Sequence, residues 1–555
     1  MSHETMAEGR NPGLLARSLL LALSSAVLMT LAVPNEIMKF GLPPLGFLGL
    51  VPLYIAIAGL SSPKAAALVT GVFGALQHAM TSFWLWFFND FRFWTLGTTT
   101  LGYFVVYAVL GLYLWLVLAR GGRARPFLFA LLWVAFEYQK SIGFLGYPWG
   151  LAPYSLTLCL PLLQVADITG LYGITAFLAL SNAAIAEACI GPWARGSEAP
   201  APSIRSPRTS RLVGLPSRYR VGYIAAAAFL TLAALGYGLY RMAVPIPQKG
   251  SFGAVLVQTN TDPWVDEEEK ALGITIRLAN AALGSAPRRP DVVLFSETLL
   301  RRPYREFRSY YSRHPVSDPL VPFIKESGAW LLTGAPVILD WDTYEGTNSA
   351  ILIDPEARLV DSYAKLHPVP FAEAIPFWDV PVFKKFIQEV VGLESGWIMG
   401  TEHKLFELPT SGGTFSFGAP ICFEDAFPDV CRPFYLRGAD LLMNLTNISW
   451  SKTESAEIQH WAAARLRAIE SRKTLVRSTN GGLSCVVGPY GQNLASLPLF
   501  EATAEYVEVP VFDQGWQTPY VLFGDWFAIG DLLLFGIIAV ILMIREAMPA
   551  LRRRR

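Results

Sequence analysis

"GAPICFEDAF", residues 418–427, passes from an apolar strand-like run into an acidic Phe-Glu-Asp turn, with Cys422 at the corner. Gly418 to Ile421 reads as the end of a buried strand, and Phe423 to Phe427 as the entry to a helix. A strand-to-helix elbow holds a side chain clear of its own backbone and beside free N–H groups. The same stretch also suits a small hydrophobe packed in a core, so its surroundings decide. Short β-rich runs flank it at 251–260, 290–298, 329–338, 347–355, 359–369, 439–448 and 474–488, with 413–422 as the run that carries the cysteine. Helical patterns lie between several of them, as at 456–472. Interleaved strands and helices imply an α/β domain over 246–513, with helices covering the sheets.

Outside that domain the chain changes character. Of 555 residues only 16% are charged and 52% are hydrophobic, against about 25% charged in ordinary soluble domains. The excess lies in apolar spans at 14–33, 41–60, 64–88, 93–119, 126–143, 165–190, 221–244 and 526–544, most near the ~20 residues that cross a bilayer core. The expected order is a membrane domain of about seven helices over 1–245, the α/β domain over 246–513, and a last helix with a basic tail over 514–555. The breaks "SSPK" (61–64), "RGGRAR" (120–125), the arginine-bearing segment 192–220 and the four terminal arginines all fall on one side of eight crossings. Basic loops mark the cytoplasmic side, so 246–513 is expected to face outward. The first span reads as retained, since no Ala-x-Ala cleavage site follows it.

A net charge of +1 offers no nucleic-acid footprint. Five scattered cysteines make no disulfide framework, although Cys431 and Cys485 read equally as a pair or as two buried thiols. Without CxxC, HExxH or clustered histidines there is no support for a metal, and no cofactor is expected.

Three strand ends carry the chemistry. Glu297 closes the apolar run "VVLFSE", Lys365 ends a strand before "LHPVPFAE", and Cys422 ends a third. Read singly, Glu297 and Lys365 suit an ion pair fixing two loops. Read together, the three supply a nucleophile, a general base and acid, and a cation for an oxyanion.

In that order, a glutamate after a strand, the "KLHPVPFAE" segment and the "ICFE" elbow resemble the nitrilase, or carbon–nitrogen hydrolase, superfamily. With the membrane spans the chain resembles one branch in particular, the apolipoprotein N-acyltransferases. "PPLGFLGLVPL" (43–53), "GYPWG" (146–150), "LLQVADITGLYGITAFL" (162–178), "NLTNISW" (444–450), "QHWAAARLRAIE" (459–470) and "VRSTNGG" (476–482) extend the likeness over nearly the whole chain. The resemblance implies a bundle of about eight transmembrane helices carrying an extracytoplasmic αββα sandwich, in a bacterial inner membrane. It implies a triad of Glu297, Lys365 and Cys422, supported by Glu373, Phe423 and Glu424. It also implies substrate contacts at Trp264 and Trp450. The implied partners are a phospholipid acyl donor, diacylglyceryl-modified apolipoproteins and the bilayer, with no nucleic acid and no metal. Ser296, Phe423 and Ile448 depart from the family pattern (proline, tyrosine and aspartate are usual), which bears on the pocket wall.

Other residues have plainer readings. His367 is expected to be a loop hydrogen-bonder, and Trp84, Trp86 and Trp94 an interfacial belt. In 375–397, Phe383, Phe386, Ile387, Val390 and Val391 share one helical face. This segment, with Phe377 and Trp378 before it, is expected to form a movable arm reaching the outer leaflet, with an ordinary core helix as the alternative. Two other functions compete: a membrane-tethered amidase or nitrilase using water as acceptor, and a silent lipoprotein-binding protein on the same fold.

Overall fold

The computed structural model describes residues 12–88, 92–193, 214–370, 372–374, 380–386, 389 and 396–552, with 12, 92, 191–193, 383, 386 and 545–552 as backbone only. It divides into two compact units: residues 1–140, 149–243 and 525–555, and residues 141–148 with 244–524.

The first unit is helical. Among the described residues, five helices are long and apolar enough to cross a membrane: Gly13–Ala32, Phe93–Arg120, Leu171–Ile190, Ser217–Ala243 and Trp526–Ile544. Three predicted spans take other forms. The 41–60 span is two helices, Pro43–Gly46 and Val51–Ala58. The 64–88 span is a helix, Pro63–Thr81, followed by a 3-10 turn, Phe83–Phe87, and the 126–143 span is a 17-residue helix, Arg125–Ser141. Backbone left unpaired by a helix break in an apolar setting needs a side-chain partner. Asn182 is that partner. Its Oδ1 accepts from Leu50 N–H (2.8 Å) and its Nδ2 donates to Gly46 O (2.8 Å). Two buried carboxyl groups here are paired: Glu187 takes Arg125 and the Tyr54 hydroxyl, and Asp167 takes Arg241 and the Tyr237 hydroxyl. Of the expected tryptophan belt, Trp86 and Trp94 are exposed, whereas Trp84 is buried and packs near Trp149, 6.5 Å between ring centres. Burial against the tilted Trp149 ring takes Trp84 out of an interfacial position.

Among its described residues, the second unit has twelve strands: β1 (Gln248–Gln258), β2 (Val292–Leu294), β3 (Trp330–Asp340), β4 (Glu345–Ile353), β5 (Leu359–Ala364), β6 (Leu405–Thr410), β7 (Gly413–Gly418), β8 (Leu441–Thr446), β9 (Thr474–Thr479), β10 (Cys485–Val487), β11 (Asn493–Ser496) and β12 (Thr503–Phe512). They form two six-stranded sheets, ordered β12-β1-β2-β3-β4-β5 and β11-β10-β9-β8-β7-β6. Each has a parallel trio at its centre, β1–β2–β3 and β7–β8–β9, with antiparallel strands outside it. The central strands β2, β8 and β9 are buried at every position, as strands covered on both faces must be. The sheets face each other: Ser478 Oγ on β9 donates to Leu294 O on β2 (3.1 Å). Helices Glu268–Ser285 and Leu320–Ser327 cover the first sheet, closing a core of Val255, Leu272, Ile276, Val293, Phe295 and Ile324. Pro428–Leu436 and Glu454–Ser471 pack on the second. This is the expected layering of helix, sheet, sheet and helix. Glu297, Lys365 and Cys422 each follow a strand, β2, β5 and β7, and so are presented at strand ends.

Of the 375–397 segment, only Pro381–Phe386, Glu389 and residues 396–397 and 380 are described, with 381–386 as a short helix. Phe377, Trp378 and the Phe386 side chain lie outside the described residues, so the expected arm stays an expectation.

Candidate active site

Beyond β7 the chain forms one isolated bridge, Ile421 to Leu445, then turns at Cys422 into the 3-10 turn Cys422–Ala426. Cys422 has a φ of 54°, a left-handed conformation that costs a side-chain-bearing residue roughly 1–3 kcal/mol. The surroundings hold it there. Asn444 Nδ2, on β8, donates both to Cys422 O (2.8 Å) and to Pro420 O (3.0 Å). Phe423 stands in the first turn beyond the corner, where N–H groups have no intrahelical acceptor.

Glu424 ties the elbow to the lysine loop. Its carboxylate accepts from Ile421 N–H (2.7 Å), Leu366 N–H (2.7 Å), His367 N–H (2.8 Å) and the Tyr363 hydroxyl (3.1 Å). Burial pushes this group up to about 7, with the Ile421 N–H and Lys365 opposing. Behind the elbow the fully buried Asp425 accepts from His460 Nε2 (2.7 Å) and Arg477 Nε (2.9 Å). Burial raises it, but the Arg477 charge and then His460 win and hold it below the usual carboxylate range.

Lys365, 1% exposed, lies between two carboxylates. Its Nζ is 2.8 Å from Glu373 Oε1 and 3.3 Å from Glu297 Oε1. Asn348 Nδ2, on β4, donates to both, at 2.9 Å to Glu297 and 3.2 Å to Glu373. Asn447 N–H donates to Glu297 Oε2 (3.0 Å) and Val369 N–H to Glu373 Oε2 (2.8 Å). Burial works against the lysine's charge, yet Glu297 and Glu373 outweigh it and hold Lys365 well above the usual lysine range. Burial and then the charge of Glu297 push the Cys422 thiol well above the ordinary thiol range, with Lys365 opposing. The resting site is therefore a neutral thiol beside a carboxylate and a charged ammonium. Such a set can deprotonate the thiol only as it reacts, by passing its proton to Glu297.

The structure thus brings Glu297, Lys365, Glu373, Cys422, Phe423 and Glu424 together. The Phe423 ring centre is 5.5 Å from Lys365 Nζ. His367 stacks near Phe427, 4.1 Å between ring centres, with burial holding it below its ordinary range. Trp264, 43% exposed, sits beside Pro263, one wall of a cavity of about 280 Å³ that reaches Glu297, and Trp450 stands in the 3-10 turn Ser449–Ser451. Cys431 and Cys485 are both buried and free.

Residues 25–184 match the apolipoprotein N-acyltransferase N-terminal domain family, and residues 255–513 the carbon-nitrogen hydrolase family. Apolipoprotein N-acyltransferase 2 of Treponema denticola is 40% identical over 517 residues, covering 92% of this chain and 94% of its own length. The chain belongs to the apolipoprotein N-acyltransferase family. Apolipoprotein N-acyltransferase 2 of Treponema pallidum is 36% identical over 537 residues (92% of each chain). The apolipoprotein N-acyltransferase of Borreliella burgdorferi is 31% identical over 490 residues (87% of this chain, 88% of its own).

Sequence reading missed several parts of this family member's site. Asn348, Asn444 and Gly334 each interrupt an apolar strand run. An ideal Cβ on Gly334 would stand 2.4 Å from Thr298 N and 2.8 Å from Glu297 Cα, so β3 carries a glycine where the Glu297 corner crosses it. Asp425, His460 and Arg477 lay far apart in sequence, with no local signal to join them.

Proposed function

We propose that this acyltransferase of lipoprotein maturation takes a fatty acyl chain from a membrane phospholipid onto Cys422 as a thioester. It then passes the chain to the α-amine of an N-terminal diacylglyceryl-cysteine. The observation that carries this is the buried Glu297–Lys365–Glu373 cluster against the Cys422 thiol. As Cys422 Sγ attacks the ester carbonyl, its proton passes to Glu297. Lys365 and the Phe423 N–H lie on the oxyanion side, and each such donor is worth about 3 kcal/mol in related sites. The C–O bond then breaks, and Glu297 returns the proton to the departing glycerol oxygen, releasing a lysophospholipid. In the second half the amine attacks the thioester and gives its proton to Glu297, which returns it to the Cys422 thiolate. A two-step course of this kind gives ping-pong kinetics.

Family membership favours this reading over the amidase, which would share the first half and use water in the second. The test is incubation of purified protein with phospholipid and a diacylglyceryl-cysteine peptide. The peptide should gain one amide-linked acyl chain by mass; a free fatty acid without acylated peptide would favour the hydrolase.

The eight crossings, the domain limits at 245 and 513, and the inner-membrane, outward-facing placement of the catalytic domain belong to the same proposal. The basic breaks support them. A cysteine placed at the exposed position 265 should be labelled by an impermeant maleimide in intact spheroplasts, and one placed at 208 only after lysis. The reverse pattern would invert the topology.

A further inference from the structure

In the course set out above, Glu297 gives a proton to the departing glycerol oxygen and later takes one from the entering amine. Both groups must approach its carboxylate from a side not filled by Lys365 and Asn348. The cavity of about 280 Å³ lies on such a side: Ser296, Glu297 and Thr298 line it, together with Thr261, Arg301, Asn447 and Asn480.

Its wall is mixed: Pro263, Ala271 and Leu299 make an apolar side, and the opposite, polar face is held in place by hydrogen bonds. Asn480 accepts the Thr261 N–H (3.1 Å) and donates to Thr261 O (2.7 Å), to Asn447 Oδ1 (3.1 Å) and to Ser449 Oγ (2.9 Å). An acyl chain against the Asn447–Asn480–Arg301 face would desolvate amide groups and a guanidinium without replacing their water. That face suits a hydroxyl-rich, charged group instead. Arg301, at the rim, is anchored through Nη2 to Asp266 O (2.6 Å) and Pro263 O (3.4 Å). Carbonyls fix a guanidinium without cancelling its charge. The nearby carboxylates are engaged with other cations, Asp266 with Lys270 and Glu268 with Arg302.

We propose that this cavity is the subsite for the polar part of the acyl donor. Arg301 takes the phosphodiester of a glycerophospholipid, and the Asn447–Asn480 wall faces its glycerol, which places the departing oxygen at Glu297. The proposal rests on the acyltransfer reading above. It also assigns the acyl chain to a different wall from the leaving group.

The test compares two donors bearing the same acyl chain, a phospholipid and a p-nitrophenyl ester, which has no phosphate. Acylation of Cys422 is followed by intact mass. Arg301→Gln should lower kcat/KM for acylation from phospholipid about ten- to a hundredfold, the range for a charged hydrogen bond. It should leave acylation from the nitrophenyl ester within about twofold, and Arg301→Lys should recover part of the phospholipid rate. Equal losses on both donors, or an unchanged phospholipid rate, would overturn the subsite. Acylation of the unaltered protein from neither donor would remove the acyltransfer reading, and the subsite with it.

Discussion

Cys422→Ala is expected to abolish the acyl-enzyme outright. Incubated with phospholipid alone, the unaltered protein should gain one acyl chain by intact mass and lose it to hydroxylamine; the variant should gain none. Turnover should fall by about a millionfold, the scale seen when the nucleophile of an acyl-transfer enzyme is removed. Cys431 and Cys485 make the experiment discriminating, because both are also buried free thiols. An acyl adduct on either would move the nucleophile. The state of the thiol is testable in the same protein. A raised thiol stays neutral to higher pH, so modification of Cys422 by iodoacetamide should keep climbing through pH 9. A plateau near pH 7 would mean a preformed thiolate, and Glu297 would not be needed as its base.

That cysteine could be picked out because its signal is local: an apolar run, a corner and an acidic turn lie within ten residues. The same holds for Glu297, a charge closing the run "VVLFSE". Most strands legible in the sequence were buried ones, since continuous apolar runs stand out; the edge strand β5 was legible as well. Three strands escaped. β6 and β11 lie at the free edge of their sheet, and β12 is an edge strand carrying Glu505, Glu508 and Pro510. Edge strands tolerate charges and proline, which erases the pattern that reveals them. The 474–488 run is two strands, β9 and β10, because the segment between them turns back at 480–484.

The residues that hold the catalytic groups from behind were illegible for a different reason. Asn348 matters because it reaches two carboxylates at once, and that depends on β4 lying between β3 and β5. Asp425, His460 and Arg477 meet only when the elbow, the Glu454–Ser471 helix and β9 are stacked. Composition sees these as isolated polar residues in apolar runs. In the membrane unit, hydropathy found the apolar stretches but not the break at 47–50, which Asn182, more than a hundred residues away, makes tolerable.

The second large effect is expected at the ion cluster. Glu297→Gln keeps the shape but cannot take the thiol proton, and its amide nitrogen must face either the Lys365 and Asn348 donors or the Asn447 N–H. A loss of about 10²–10⁴-fold in acylation of Cys422 is expected, the usual range for a general base. Lys365→Met should cost as much, for one of two reasons that a third variant separates. Without the ammonium, Glu297 and Glu373 face each other across Asn348, and like charges so placed cannot both stay ionised. If charge cancellation is the lysine's main task, adding Glu373→Gln to Lys365→Met removes the repulsion and should return part of the acylation rate. If Lys365 contributes mainly by meeting the oxyanion, the double variant should remain as slow as the single one. The proposed mechanism requires the second outcome. A recovery of tenfold or more would confine Lys365 to keeping Glu297 ionised, leaving the oxyanion to backbone N–H groups at the elbow.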